Sequence, residues 1–323
     1  MIPRSSFLAT LVSSLLLAGC GKEVVMKVGA PGASKGTIGL SVLTLTNPFF
    51  KAISDSLTAE AKKAGYDVLT VSGEFKPETQ RDQVKDFIVK KCAAIVLTPC
   101  DSRAVGTSIA EANAAGIPVF TADIKSLAEN GRVVAHIATD NLAGGREAGT
   151  AMIEALGATG GKVAIVHHPT VESCILRVKG FRETIEGHNA SGKGPKIEIV
   201  AELSGGGGKE GAFKAAEDAL QGNADLAGIF AINDHSALGS RAALEKAGRT
   251  NVKIVGFDGQ PDARQAIKEG RIYADPVQSP EEIGRRTAQA ILSHFAGEKV
   301  EPEILIPTTL YRQSDAQKDP SVK

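Results

Sequence analysis

Asn47, Asp123, Arg177, Asn233, Asp258 and Gln278 lie far apart along this chain, yet each stands just behind a short apolar run or at the start of the segment that follows one. Amides both donate and accept hydrogen bonds, carboxylates accept and a guanidinium donates. Such a set can answer many hydroxyl groups at once, and its charge-assisted bonds are the strong ones. Beside Asn47 stand Phe49 and Phe50. Neighbours on a helix point about 100° apart, so the two rings cannot both face the core. At least one is expected to face a ligand, where an aromatic face packs on the C–H face of a sugar ring. Each residue also has a plainer reading. Asn47 suits an N-cap before Pro48, Asp123 a solvated loop, and Thr139 or Asp140 a cap. Arg177, one turn after Ser173, could be a surface arginine, and Asn233, Asp258 and Gln278 could be turn or cap residues.

Their common position comes from the elements behind them. Apolar runs of strand length occur at 37–45, 67–71, 93–98, 117–121, 132–137, 162–167, 197–203, 226–231, 252–257 and 272–277. Helical patterns lie between most of them, and Gly65, Gly116, Gly157, Gly187, Gly248, Gly270 and Gly297 stand near helix ends, where a left-handed residue stops a helix. Strict alternation of β and α implies parallel sheets covered by helices on both faces. Ten strands are many for one small sheet, so the expected fold class is α/β with two doubly wound lobes. Ligands in such sheets sit beyond the carboxyl ends of the strands, which is where the six polar residues fall.

The N-terminus follows different rules. Arg4 precedes an apolar stretch from Phe7 to Leu17 that is too short to span a bilayer and fits the core of a secretory signal. It ends in Leu17-Ala18-Gly19-Cys20, which resembles the bacterial lipobox, so Cys20 is the expected lipidation site and residues 21–36 the tether. Acyl chains contribute roughly 0.8 kcal/mol per buried CH₂, and this anchor is the one membrane contact expected. The placement is therefore periplasmic or on the cell surface. Cys92, Cys100 and Cys174 are expected to be free. With 37 basic and 37 acidic residues and no basic run, the chain is poorly suited to nucleic acid.

Taken together, TNPFF (46–50), HIATDN (136–141) with Gly144-Gly145, RVKGF (177–181), FAINDHSALG (230–239), IVGFDGQPD (254–262) and VQSPEEIG (277–284) resemble the ribose-binding branch of the periplasmic sugar-binding proteins. The resemblance covers about residues 37–312. It implies a ligand site of Asn47, Phe49, Phe50, Asp123, Thr139, Arg177, Asn233, Asp258 and Gln278, with Thr139 at the first of three hinge crossings, near 139–140, 278–279 and 306–307. It further implies an N-terminal lobe of 37–139 plus 279–306, a C-terminal lobe of 140–278 plus 307–313, and a flexible tail at 314–323. The implied partners are a monosaccharide or polyol and the membrane permease of an ABC importer, for a monomer that needs no cofactor. Two departures stand out. Ile124 follows Asp123 where the family often has arginine, and Gly205–Gly208 replaces an aromatic that often stacks on the sugar's second face.

Other functions find less support. An enzyme that uses a nucleophile needs Ser or Cys beside His, and the ligand-side set lacks that arrangement. The glycine-rich run 157–162 precedes a strand and lacks the following Ser or Thr of a phosphate-binding loop. Gly205–Gly208 before a helix could hold a phosphate on backbone N–H groups, though a flexible loop is the simpler reading. His167-His168 has no spaced partner for a metal. A sugar-responsive repressor would carry a helix-turn-helix where this chain has an export signal. A receptor serving a sensor protein would share both fold and pocket, so sequence does not separate it from a transport component.

Overall fold

The computed structural model describes residues 34–323. The signal segment, Cys20 and most of the tether lie outside the described residues. Strands β1 (Thr37–Val42), β2 (Asp67–Ser72), β3 (Ala94–Leu97), β4 (Val119–Ala122), β5 (Val133–Thr139) and β11 (Glu303–Ile306) form one sheet in the order β11-β5-β4-β3-β1-β2. Every pairing in it is parallel. A second sheet holds β6 (Gly161–His167), β7 (Ile197–Ser204), β8 (Leu226–Ala231), β9 (Lys253–Val255), β10 (Ala274–Val277) and β12 (Thr309–Arg312), ordered β12-β10-β9-β8-β6-β7. Here β12 runs antiparallel to β10. The chain passes from one sheet to the other after β5, after β10 and between β11 and β12.

Helices α1 (Pro48–Lys63), α2 (Pro77–Val89), α3 (Gly106–Ala114) and α9 (Pro280–Phe295) cover the first sheet. The second is covered by α4 (Asn141–Leu156), α5 (Glu172–Ser191), α6 (Lys209–Gly222), α7 (Asp234–Lys246) and α8 (Pro261–Lys268). The two lobes are α/β and doubly wound, as their alternation implies. The ten expected strands are joined by β11 and β12, four residues each and only partly buried. Both lie at sheet edges and are only four residues long, and the apolar run of β11, Ile304-Leu305-Ile306, is too short to mark a strand by itself. Gly187 was expected to end a helix, but α5 runs through it to Ser191 and is closed by Gly192 at φ 62°. Gly187 keeps a negative, helical φ, so it does not act as the left-handed residue that stops a helix.

The tail expected to be flexible is docked. A short helix, α10 (Gln313–Ala316), leads to Asp319, which accepts hydrogen bonds from Tyr311 Oη at 2.9 Å and Arg264 Nη1 at 3.1 Å. Lys268 Nζ donates to the Val322 carbonyl at 2.8 Å, and the Val322 side chain is buried. Cys92, Cys100 and Cys174 are buried and free.

Close helix contacts fix the lobes. In the second lobe α4 and α5 meet where a Cβ on Gly145 would lie 2.2 Å from the Arg177 carbonyl oxygen. In the first, α9 meets α1 where a Cβ on Gly284 would lie 2.2 Å from the Ile53 carbonyl oxygen. No side chain can relieve a clash against backbone, so overpacking costs of about 1–3 kcal/mol are expected. Gly284→Ala should therefore lower the unfolding free energy from denaturant melts by that much, and with it the midpoint. Gly222→Ala, at the open end of α6, should leave it nearly unchanged. Equal midpoints for the two variants would mean that the α1–α9 contact is not tight.

Candidate functional site

Eight of the nine expected site residues line one cavity between the two sheets: Asn47, Phe49, Phe50 and Asp123 from the first lobe, and Arg177, Asn233, Asp258 and Gln278 from the second. Thr139 does not line it. Its hydroxyl donates to Gln278 Oε1 at 2.5 Å, so it holds a lining residue from behind. With the lobes as they stand, the space these residues enclose is only about 30 Å³, roughly that of one water.

On the first lobe, Asn47 is buried and caps α1, its Oδ1 accepting from the Phe49 backbone N–H at 3.0 Å. Capping and cavity lining are thus compatible rather than alternatives. Phe49 and Phe50 stand edge to face, 5.3 Å between ring centroids and 87° between planes. Both line the cavity and both are also packed into the buried core, so core and cavity are not the exclusive faces expected from the 100° spacing. Asp123 follows β4 with φ 64°, and its buried Oδ1 has no hydrogen-bond partner among the described residues. Burial pushes this carboxyl up to about 7; the Arg177 charge opposes that shift, and Asp258 and Glu172 add to it. A buried acceptor without a donor is costly.

On the second lobe, Arg177 is the organising cation. Its Nε donates to Asn141 Oδ1 at 2.8 Å, and its Nη1 to the Ile232 carbonyl at 2.7 Å and to Asp258 Oδ1 at 3.1 Å. The guanidinium lies 3.9 Å from the Phe257 ring centroid, a cation–π contact. Gln278 Nε2 donates to the same Asp258 oxygen at 2.6 Å. Burial pushes Asp258 above its ordinary value, against the pull of Arg177 and Gln278. Asn233 caps α7 through Oδ1 to the Ser236 N–H at 2.8 Å, while its amide donates to the Gly207 carbonyl at 3.0 Å.

Three of the five described non-glycine residues at positive φ, Phe75, Asp123 and Asp258, line this cavity. Strained backbone collects at functional sites. Sequence reasoning missed Phe75, Leu43 and Val171 as lining groups, and Asn141 as the partner of Arg177. A glutamate-phenylalanine pair at φ 54° and 58° has no signature in one sequence. At the cavity mouth the Phe75 ring faces His168 across the lobes, 6.4 Å between centroids. Burial lowers the His168 imidazole to about 4, with His167 adding to the effect, so it is neutral near pH 7. Gly207 does stand in the lining, as the missing-aromatic departure implies, and a Cβ there would come within 3.0 Å of His168 Nδ1. Ile124 is also in the lining. The lobes touch at Ser102, whose N–H donates to the Thr170 carbonyl at 3.0 Å and whose Oγ accepts from the Glu172 N–H at 2.9 Å.

The arrangement binds; it does not attack. Burial pushes the Cys174 thiol up to about 12, far from a thiolate nucleophile. Among the described residues no three His, Cys, Asp or Glu side chains gather as metal ligands. Residues 38–299 match the family described as periplasmic binding protein domain. The chain belongs to the periplasmic binding proteins. Within this family it is 35% identical to the ribose import binding protein of Bacillus subtilis, over 94% of this chain and 96% of that one. The ribose import binding protein of Escherichia coli is 33% identical over 91% and 94% of the two chains. Among solved structures, an ABC transporter solute binding protein from Mycobacterium smegmatis with bound glycerol superposes with a TM-score of 0.80 at 31% identity, over 89% of this chain and 96% of that one. One from Agrobacterium vitis bound with α-D-tagatopyranose gives 0.82 at 27%, over 89% and 98%. As in these relatives, which are binding components of importers, this periplasmic binding protein is not an enzyme.

Removing Arg177 from this site would strand the Asp258 carboxylate. Arg177→Ala should destabilise the protein by about 2–4 kcal/mol, and adding Asp258→Asn should recover part of that loss in denaturant melts. Strictly additive losses would show that the two groups do not interact.

Proposed function

We propose that this protein captures a monosaccharide or small polyol between its lobes and delivers it to the permease of an ABC importer, and that a lipid on Cys20 holds it at the membrane. The carrying observation is the convergence of eight aromatic, amide and charged side chains from both sheets on one cavity, with the Asp123 acceptor unanswered. The cavity offers a carboxylate to accept hydrogen bonds from sugar hydroxyls, amides from Asn47, Asn233 and Gln278, and two aromatic rings for the C–H face. Relatives named for ribose, D-apiose and D-allose support a sugar. The Leu17-Ala18-Gly19-Cys20 string supports the anchor.

In this reading the lobes open and close about the three crossings. A ligand that touches both lobes only when they are closed shifts the population by its difference in affinity for the two states. Thr139 and Gln278, bonded to each other at two of the crossings, tie the moving segments to the site. Five or six hydrogen bonds to charged groups at about 1.5–3 kcal/mol each, less the cost of ordering, leave room for about −8 kcal/mol, a micromolar Kd.

A thermal-shift and calorimetric panel of pentoses, hexoses, polyols and phosphorylated sugars tests this. At least one neutral sugar or polyol should bind near micromolar and, at about a hundredfold excess over Kd, add about 2.7 kcal/mol of stability. A panel without a binder, or one in which only phosphorylated sugars bind, would reject the reading. For the anchor, Cys20→Ala should abolish incorporation of labelled palmitate; retained label would refute lipidation at that residue.

A further inference from the structure

Behind the cavity wall lies a second pair of acids. Asp234 opens α7 directly after Asn233, and Asp275 lies in β10 three residues before Gln278. Both are essentially without solvent exposure, at 1% and 0%. The two carboxyl groups are neighbours, each acting on the other's hold on its proton. Asp234 Oδ1 and both Asp275 oxygens have no partner among the described residues. Ionised carboxylates only accept hydrogen bonds, so two of them in contact have nothing to share unless one carries a proton. Two bare charges in contact in a dry interior repel, and one is driven to keep its proton. The fold makes room for this contact. Residue 256 is glycine, and a Cβ there would lie 2.4 Å from Asp275 Oδ1.

The pair sits where three binding segments meet. Asp234 Oδ2 accepts from the Gln260 N–H at 2.5 Å, which holds the loop that follows Asp258. Asp258 itself bridges to Val277, next to Gln278. We propose that Asp234 and Asp275 hold one proton between them and act as positioning residues, clipping together the segments that carry Asn233, Asp258 and Gln278. The consequence for ligand binding rests on the sugar-binding reading above; the shared proton does not.

The charged groups around the pair agree. Asp258 faces it from the β9–α8 loop, its charge already engaged by Arg177. Arg264 of α8 is near, but its guanidinium is bonded to the Gly259 carbonyl and to Asp319. The Gly256 backbone lies beside Asp275. Burial and mutual repulsion raise Asp234 well above the usual carboxyl range, and burial raises Asp275 to about 6. A group whose folded value is raised holds its proton in the folded chain after the unfolded chain has lost it. The stability it contributes is complete below the ordinary carboxyl value and is lost as pH rises through the folded value.

The test compares wild type, Asp275→Asn and Asp275→Ala in ligand-free melts between about pH 5 and pH 8. An asparagine amide supplies a permanent N–H in place of the shared proton. Asp275→Asn should match or exceed wild-type stability at pH 7. Relative to it, the folding constant of wild type should fall by up to tenfold per pH unit as pH rises. Asp275→Ala should be less stable than either at pH 5. With D-ribose as the probe, Asp275→Ala should bind about fivefold or more weakly than wild type, and Asp275→Asn within about twofold. If Asp275→Asn is less stable than wild type at pH 7 and its melts keep the wild-type pH slope, both carboxylates are ionised and the proposal falls. If wild type fails to bind D-ribose, that bears on the sugar reading alone, and the melts still decide the proton.

Discussion

The closed cleft depends on one electrostatic constraint: carboxylates removed from water must be answered by donors. Asp258 is answered within its own lobe by Arg177 and Gln278. Asp123 faces the same cavity with an acceptor oxygen that no group among the described residues satisfies. A closed site with that oxygen unpaired is costly, and a guest hydroxyl removes the cost. In the proposed reading, relief of this cost by a ligand hydroxyl favours the closed form. The difference in affinity between the two states comes from a few named atoms rather than from buried area.

The remaining structure serves that constraint. Arg177 keeps its place because Gly145 lets α4 approach its backbone closely, and because Asn141 and the Ile232 carbonyl take the guanidinium protons that Asp258 leaves over. Asp123 and Asp258 reach the cleft only through positive φ, a local strain that the surrounding sheets support. Ser102 meets Thr170 and Glu172 across the two lobes through two hydrogen bonds. Behind the second lobe's wall, the Asp234–Asp275 contact joins the segments from which the polar groups project.

Much of this was legible in the sequence because parallel sheets impose order. Alternating apolar runs and glycine-ended helices gave two lobes, and the rule that ligands lie beyond strand carboxyl ends selected Asn47, Asp123, Arg177, Asn233, Asp258 and Gln278. What escaped was what periodicity does not carry. Strands β11 and β12 are short and half exposed, and Gly187 sits within a helix that it was expected to end. Phe75 enters the cavity through an unusual loop conformation. Val322, in a polar tail, finds a buried seat through contacts with residues far from it in sequence. Thr139 was assigned to the ligand by resemblance, whereas its hydroxyl is committed to Gln278.

The most direct measurement is a crystal structure of the protein grown with a sugar that it binds. The account predicts a ligand hydroxyl within hydrogen-bond distance of Asp123 Oδ1, with the Arg177–Asp258 contact intact beneath the ring. A bound sugar that leaves Asp123 Oδ1 without a donor, or that lies outside the space between the lobes, would contradict it.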